Sequence, residues 1–230
     1  MSHITDWAER TEAAVLDAAL RRASREGWSW RLVYEAAGAA GLSRPEVELL
    51  LPDGPRDLAA LLSRRLNAEA LADLDAVDPA SLKVRERIRE AVTSWLRGAS
   101  LHETAVRRWA GFLALPMNTP LGLRLAWESA DALWRWAGDT AADENHYTKR
   151  VLLAEILISS LAIAISAGEA AALVHLDRRI AGVMRFEKMK AGVKPLEAVE
   201  RLARRLGSLR YRPAAPSPEQ REGQALGDAP

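Results

Sequence analysis

Asp139, Asp143, His146, Lys149 and Arg150 lie in one short stretch and are residue types that could do chemistry. Together they would suit acid–base work on a polar substrate. A general base, however, needs a group that orients it, and the pattern supplies none for His146. Asp143 lies just ahead of a predicted helix start, where a carboxylate suits the cap and the dipole. Lys149 and Arg150 suit surface or inter-helix ion pairs. Asp177-Arg178-Arg179 reads as a charged helix face rather than an anion site. The remaining histidines, His3, His102 and His175, stand alone, and no Glu-x-x-His pattern of the di-iron kind occurs. Cysteine is absent, which excludes disulfides, thiolate zinc sites, iron–sulfur clusters and Cys nucleophiles. There is no phosphate loop. The expectation is a chain with no catalytic centre, metal or cofactor, hence not an enzyme.

The elements that must position these residues are helical. Ala, Leu, Arg and Glu dominate, and strand signals are nearly missing. The spacing predicts helices over about 6–25, 32–40, 43–51, 56–74, 82–98, 103–115, 120–137, 145–167, 170–190 and 195–210. Gly27, Gly41, the Pro52-Asp53-Gly54-Pro55 turn, Pro116, Gly138 and Gly168 punctuate them. The fold class is therefore all-α, with a helical unit over 1–55, a helical domain over 56–192, a basic amphipathic helix over 193–212 and a disordered tail over 213–230.

The 230 residues are 49% hydrophobic and 27% charged, enough for a sizeable core in a soluble chain. Formal net charge is +1, so no global basic excess points to nucleic acid. The longest apolar run, Val151 to Ala167, is interrupted by Glu155 and falls short of the roughly 20 residues a spanning helix needs. It reads as a buried core helix. The acidic start (Asp6, Glu9) lacks an apolar signal core, and the expected location is a bacterial-type cytoplasm.

From Val15 to Ser43, a helix, the turn Glu26-Gly-Trp-Ser-Trp30, a short helix Val33-Tyr-Glu-Ala-Ala-Gly38 and Gly41-Leu-Ser43 follow one another. This order resembles the N-terminal unit of TetR-type regulators, whose third helix enters the DNA major groove. Here that helix is Ser43-Arg-Pro-Glu-Val-Glu-Leu-Leu-Leu51. It has one cation and two carboxylates, Glu46 and Glu48, which would face a polyanion. A degenerate helix-turn-helix without nucleic-acid function is expected; a TetR-type transcriptional regulator is the alternative.

A further block joins Leu115-Pro-Met-Asn-Thr-Pro120, Asp131-Ala-Leu-Trp-Arg-Trp-Ala-Gly-Asp139, Asp143-Glu-Asn-His-Tyr-Thr-Lys-Arg150, Leu176-Asp-Arg-Arg-Ile180 and Val183-Met-Arg-Phe-Glu-Lys188. It resembles the Coq-nine family of ubiquinone biosynthesis accessory proteins over about 82–190. The resemblance implies a TetR-like helical bundle and a homodimer that binds isoprenoid, quinone or phospholipid. It further implies presentation of the intermediate to a di-iron Coq-seven-type demethoxyubiquinone hydroxylase, with no nucleic acid bound. The implied docking surface surrounds the Gly138-Asp139 turn and comprises Asp131, Leu133, Trp134, His146 and Tyr147; His146 stands where the family usually has Trp.

A long isoprenoid needs an apolar cavity with few polar groups. The helix Val151–Ala167 is apolar on most faces, which marks a buried helix. Its small residues could leave room for a lipid or simply allow close packing. By resemblance, the expected lining is Leu153, Ile156, Leu157 and Leu161 from this helix, with Trp109, Phe112, Leu113, Leu125 and Trp127. At the C-terminal end, Leu196, Val199, Leu202, Leu206 and Leu209 form one stripe. Between Lys194 and Arg212 lie six cations, Arg201, Arg204 and Arg205 among them, and two carboxylates. An apolar stripe beside a basic face suits an interfacial helix or one packed on its own domain. The resemblance favours peripheral attachment, placed by the cytoplasmic expectation on the inner face of the bacterial membrane.

Overall fold

The structure is a computed structural model describing residues 2–139 and 144–190. The described residues form helices and turns without strands: α1 (Ser2–Glu26), α2 (Trp30–Ala39), α3 (Arg44–Leu50), α4 (Pro55–Asp73), α5 (Val84–Leu101), α6 (Glu103–Leu113), α7 (Thr119–Trp136), α8 (Glu144–Ala167) and α9 (Glu169–Lys190). The all-α class read from composition is what the fold shows. The expected basic helix over 193–212 and the tail over 213–230 lie outside the described residues, as does Asp143.

Local chemistry fixes the helix ends. Ser29 Oγ accepts a hydrogen bond from Leu32 N and starts α2. Glu46 reaches back to accept from the Ser43 backbone N–H and hydroxyl, so it closes the start of α3. Pro45, Pro55 and Pro120 stand in first turns, where a missing N–H does no harm. Gly54 has φ +50°, and its bare Cα lies under the Trp30 ring; any side chain there would run into the indole.

α4 is the central pillar and packs on α1, α2, α5 and α7. Its Leu58, Leu62 and Leu66 are fully buried. Three indoles dock on it: Trp28 Nε1 donates to Pro55 O (2.8 Å), Trp109 Nε1 to Ala59 O (3.1 Å) and Trp95 Nε1 to Asn67 Oδ1 (3.0 Å). Each tryptophan buries a large ring yet keeps its N–H paired.

α8 starts ahead of the apolar run read from sequence, at Glu144. The segment His146–Ala167 is thereby 22 residues long, and by length and composition alone it could cross a membrane. The expectation that it falls short is corrected, because the helix continues N-terminally through Lys149 and Arg150. In the fold it packs against α5, α7 and α9. Arg150 is 1% exposed. Its Nε donates to Asp131 Oδ1 (2.7 Å), and one terminal nitrogen donates to Asp139 Oδ2 (2.8 Å) and His146 O (3.1 Å). Lys149 Nζ donates to Asp139 Oδ1 (2.7 Å). These four charges are inter-helix ion pairs that lock the end of α7 onto the start of α8. Burial pushes the Asp139 carboxyl up, but hydrogen bonds and charge from Lys149 and Arg150 outweigh it, so it titrates below its ordinary range. α9 is held by Asp177 on Arg89 of α5 (2.7 Å) and Arg179 on Glu155 of α8.

Two stability predictions follow from these charges. Arg150→Met would leave Asp131 and Asp139 without their buried partner and should destabilise the protein by about 3–5 kcal/mol, read as a lowered urea midpoint. Asp57, in the first turn of α4, is 6% exposed. Burial is the largest influence on it and, against the hydrogen bond from Asp53 N, raises its pKa to about 6. A carboxyl whose folded pKa is raised gives up stability as pH climbs from its unfolded value through 6. Asp57→Asn should therefore raise the melting temperature at pH 7.5 and change it little at pH 4, checked by calorimetry at both pH values.

Candidate functional site: an apolar cavity between α6, α7 and α8

Small residues on facing helices leave a void. On α6, Ala110, Gly111 and Ala114 face Gly122 and Ala126 of α7, with Ala162 on α8. The cavity has a volume of about 620 Å³, within the range of small-molecule sites. It runs along the α7 stripe Thr119, Gly122, Ala126 and Ser129, at successive helical turns, for about 15 Å. Thr119, Gly111, Ala114, Leu123, Ile158 and Ala162 are exposed and form the mouth. Ser63, Trp95, Trp109, Leu125, Ser129 and Leu157 are buried and form the inner wall, drawn from α4 to α8. Gly122 sets the spacing of the walls, since a Cβ there would lie 3.4 Å from Leu113 Cβ.

Of the residues expected to line a lipid site, Trp109, Leu113, Leu125, Leu157 and Leu161 line this cavity. Phe112, Trp127, Leu153 and Ile156 do not. Leu153 stands one helical turn ahead of Leu157 on nearly the same face but outside the cavity, and Ile156 is turned about 100° from Leu157; both are buried in the packed core. Trp127 leaves the opposite side of α7 and stacks on Tyr147 (centroids 6.0 Å apart). Phe112 is half-buried, and its carbonyl accepts from Asn118 Nδ2 (3.0 Å). Sequence reasoning missed Ser63, Trp95, Gly111, Gly122, Ala126 and Ser129. For Gly111, Gly122, Ala126 and Ser129 the only signal was small residues recurring at helical steps on α6 and α7; Ser63 and Trp95 carried none.

Around the Gly138-Asp139 turn the structure brings together most of the residues expected to dock a partner. Trp134 is half-buried; its Nε1 donates to Lys149 O (3.0 Å), and Lys149 Nζ sits 5.4 Å from its ring centre. His146 meets Tyr147 edge-on (5.3 Å). Asp131 is held by Arg150 and Arg135. Leu133 is fully buried and shapes this surface only from beneath, a correction to its expected place on it. The expected membrane contacts Leu196, Val199, Arg201, Leu202, Arg204, Arg205, Leu206 and Leu209 lie outside the described residues. Among the described residues no three His, Asp or Glu are grouped to hold a metal ion.

Comparison with known proteins gives this geometry a family. The chain is 30% identical over 156 residues to the Rattus norvegicus protein named "Ubiquinone biosynthesis protein COQ9, mitochondrial", covering 64% of this chain and 49% of the relative. It is 30% identical to the Homo sapiens protein of the same name over 156 residues (64% and 48%) and 26% identical to the Drosophila melanogaster one over 149 residues (63% and 45%). The chain thus spans about half the length of the relatives it matches. Their names overturn the expected bacterial cytoplasmic location, since they point to mitochondria. That expectation rested on the composition of the first residues, which carries no weight in a chain matching half of each relative. A family model described as COQ9 matches residues 119–187, from the mouth of the cavity on α7 to the end of α9. Over these residues the chain is similar to the COQ9 family, the family that its Leu115–Lys188 motifs resemble.

Proposed function

We propose that this chain is an accessory protein of ubiquinone biosynthesis, without a catalytic centre of its own, that carries an isoprenoid or quinone lipid in the cavity between α6, α7 and α8. The observation that carries the reading is the cavity itself: about 620 Å³ of space bounded mainly by apolar side chains. A void of this size weakens packing in an empty protein and is useful to one that takes up an apolar guest. The relatives' names support the pathway and a mitochondrial place of action. The basic, Leu-striped segment 194–212 supports peripheral attachment to a membrane. The aromatic turn around Trp134, His146 and Tyr147 supports docking of a Coq-seven-type hydroxylase, to which the lipid is presented, and the family resemblance supports a homodimer. A DNA-reading role draws no support from α3, where Glu46 caps the helix and Glu48 pairs with Arg44.

Mass spectrometry of the purified protein should find copurified isoprenoid, quinone or phospholipid. Protein that is empty from every host would overturn the reading. Ala126→Phe should fill the cavity and cut lipid occupancy about tenfold or more. At Gly111 a Cβ would meet nothing within 4 Å. Gly111→Leu should therefore narrow the mouth and lower occupancy, while helix propensity adds about 0.5–1 kcal/mol of stability. Unchanged lipid content in both variants would place the lipid elsewhere.

A further inference from the structure

From Trp109 to Leu123 the chain runs for fifteen residues without a charged side chain. Arginines bound the run on both sides, Arg107 and Arg108 before it and Arg124 after it. Parts of the run are buried, but its middle is not. Where α6 gives way to α7, the turn Leu115-Pro-Met117 projects into solvent: Met117 is 71% exposed and Leu115 46%. The turn is held from behind. Asn118 is buried; its Nδ2 donates to Phe112 O (3.0 Å), and its Oδ1 accepts from Arg56 Nε (3.1 Å). A second Arg56 nitrogen donates to Met117 O (3.1 Å). Asn118 N and Thr119 N both donate to Leu115 O (2.8 and 3.0 Å). Arg56 stands in the first turn of the α4 pillar, so the centre of the fold keeps the tip pointing outward. Thr119, bonded to Leu115, and Leu123, one turn later on α7, belong both to this surface and to the mouth of the cavity. A single exposed apolar side chain is ordinary. A fixed turn that displays two of them, continuous with an apolar opening, marks a contact surface.

We propose that the Leu115–Met117 turn is a membrane-inserting tip, which sets the mouth of the cavity against a bilayer that carries anionic phospholipid. The inference rests on the lipid-carrier reading for the use of the mouth. It adds a membrane contact separate from any made by segment 194–212. Three features favour a bilayer over a protein partner. The tip is apolar and uncharged, as the boundary between headgroups and acyl chains requires. Exposed arginines stand at its margin, Arg56 against the tip and Arg107 at the mouth, where lipid phosphates would lie once the tip is inserted. Glu103 pairs with Arg107 from one turn back on α6 (3.1 Å), on the side away from the tip. The opening is continuous with the tip, so a guest leaving the bilayer meets Leu123 and Ile158 without first crossing water.

The test uses the full chain, which has no cysteine of its own. Met117→Cys and, as control, Val84→Cys are labelled with a nitrobenzoxadiazole dye. Val84 is also apolar and exposed, but it opens α5 beside the far end of α7, where Arg87 donates to Ala137 O (2.8 Å). The vesicles are phosphatidylcholine, alone or with cardiolipin. With cardiolipin present, the dye at position 117 should brighten several-fold and be quenched by spin-labelled acyl chains, while the dye at 84 changes little. Leu115→Ser/Met117→Ser alters only exposed side chains and should keep the wild-type melting temperature. Its affinity for the cardiolipin vesicles, read by flotation, should fall about tenfold. A dye at 117 that stays in water on vesicle-bound protein overturns the proposal and leaves the carrier reading standing, as does an unchanged affinity of the double variant. Shielding of position 117 that needs no vesicle and grows with protein concentration gives the tip to a second copy of the chain and overturns it too. An equal response on phosphatidylcholine alone overturns the role given to anionic lipid. A wild-type chain that floats with neither kind of vesicle sinks the proposal together with the peripheral attachment read from 194–212, whereas copurified lipid reports on the carrier reading independently.

Discussion

A guanidinium buried to 1% exposure is tolerable only if its donors are met and its charge is balanced. Arg150 meets that condition through Asp131 near the end of α7, Asp139 in the turn and the His146 carbonyl one helical turn back on α8. The geometry leaves the α7–α8 corner little freedom. Asp131 must lie opposite Arg150, and Gly138 must turn at φ +84° to bring Asp139 back. Once this corner is set, the stripes Gly122, Ala126 and Ser129 on α7 and Leu157, Leu161 and Ile165 on α8 are committed to the same side. The ion cluster does no chemistry itself. It fixes the pair of walls between which the void opens.

The other walls depend on the α4 pillar. Trp109 and Trp95 reach it from α6 and α5 and hydrogen-bond to it, so α6 is held off α7 by bulky rings at the inner end. Toward the mouth several of the facing positions are small, Gly111, Ala114 and Ala162 beside Thr119, Leu123 and Ile158. Large anchors at one end and small residues at the other make a tapering gap rather than a closed core. Close packing is the rule inside proteins, and this departure from it is built from side chains that are each ordinary helix residues.

The helices were legible in the sequence because apolar positions recur at three- and four-residue steps and because Gly and Pro mark the ends. The cavity was legible only in part. Leu157 and Leu161 line the void, but Leu153, one turn earlier on nearly the same face, and Ile156, on another face, are buried in the core outside it. A helix apolar on most faces does not declare which face is empty, since that depends on what its neighbours lack. Leu133 illustrates the same limit: flanked by surface-facing residues in the motif, it is buried by the i, i+4 geometry of α7 against α4 and α8. Ser63 could not be found at all, because nothing in residues 56–74 marks one serine of a core helix as facing a void formed with residues far along the chain.

Direction within the cavity bears on how a carrier could serve a second protein. The mouth lies near Thr119, at the start of α7, and the aromatic turn lies beyond Trp136, at its end. From Thr119 to Trp134 the helix rises about 22 Å. Ser129 is one turn from Leu133, whose buried side chain underlies the surface of Trp134 and Tyr147. Trp127 and Tyr147, stacked at 6.0 Å, lie on the side of α7 away from the cavity, and Arg150 holds the helix corner that supports them. One helix therefore carries the cavity along one side and the aromatic turn at its end, so a guest in the first and a partner on the second need not compete for the same surface.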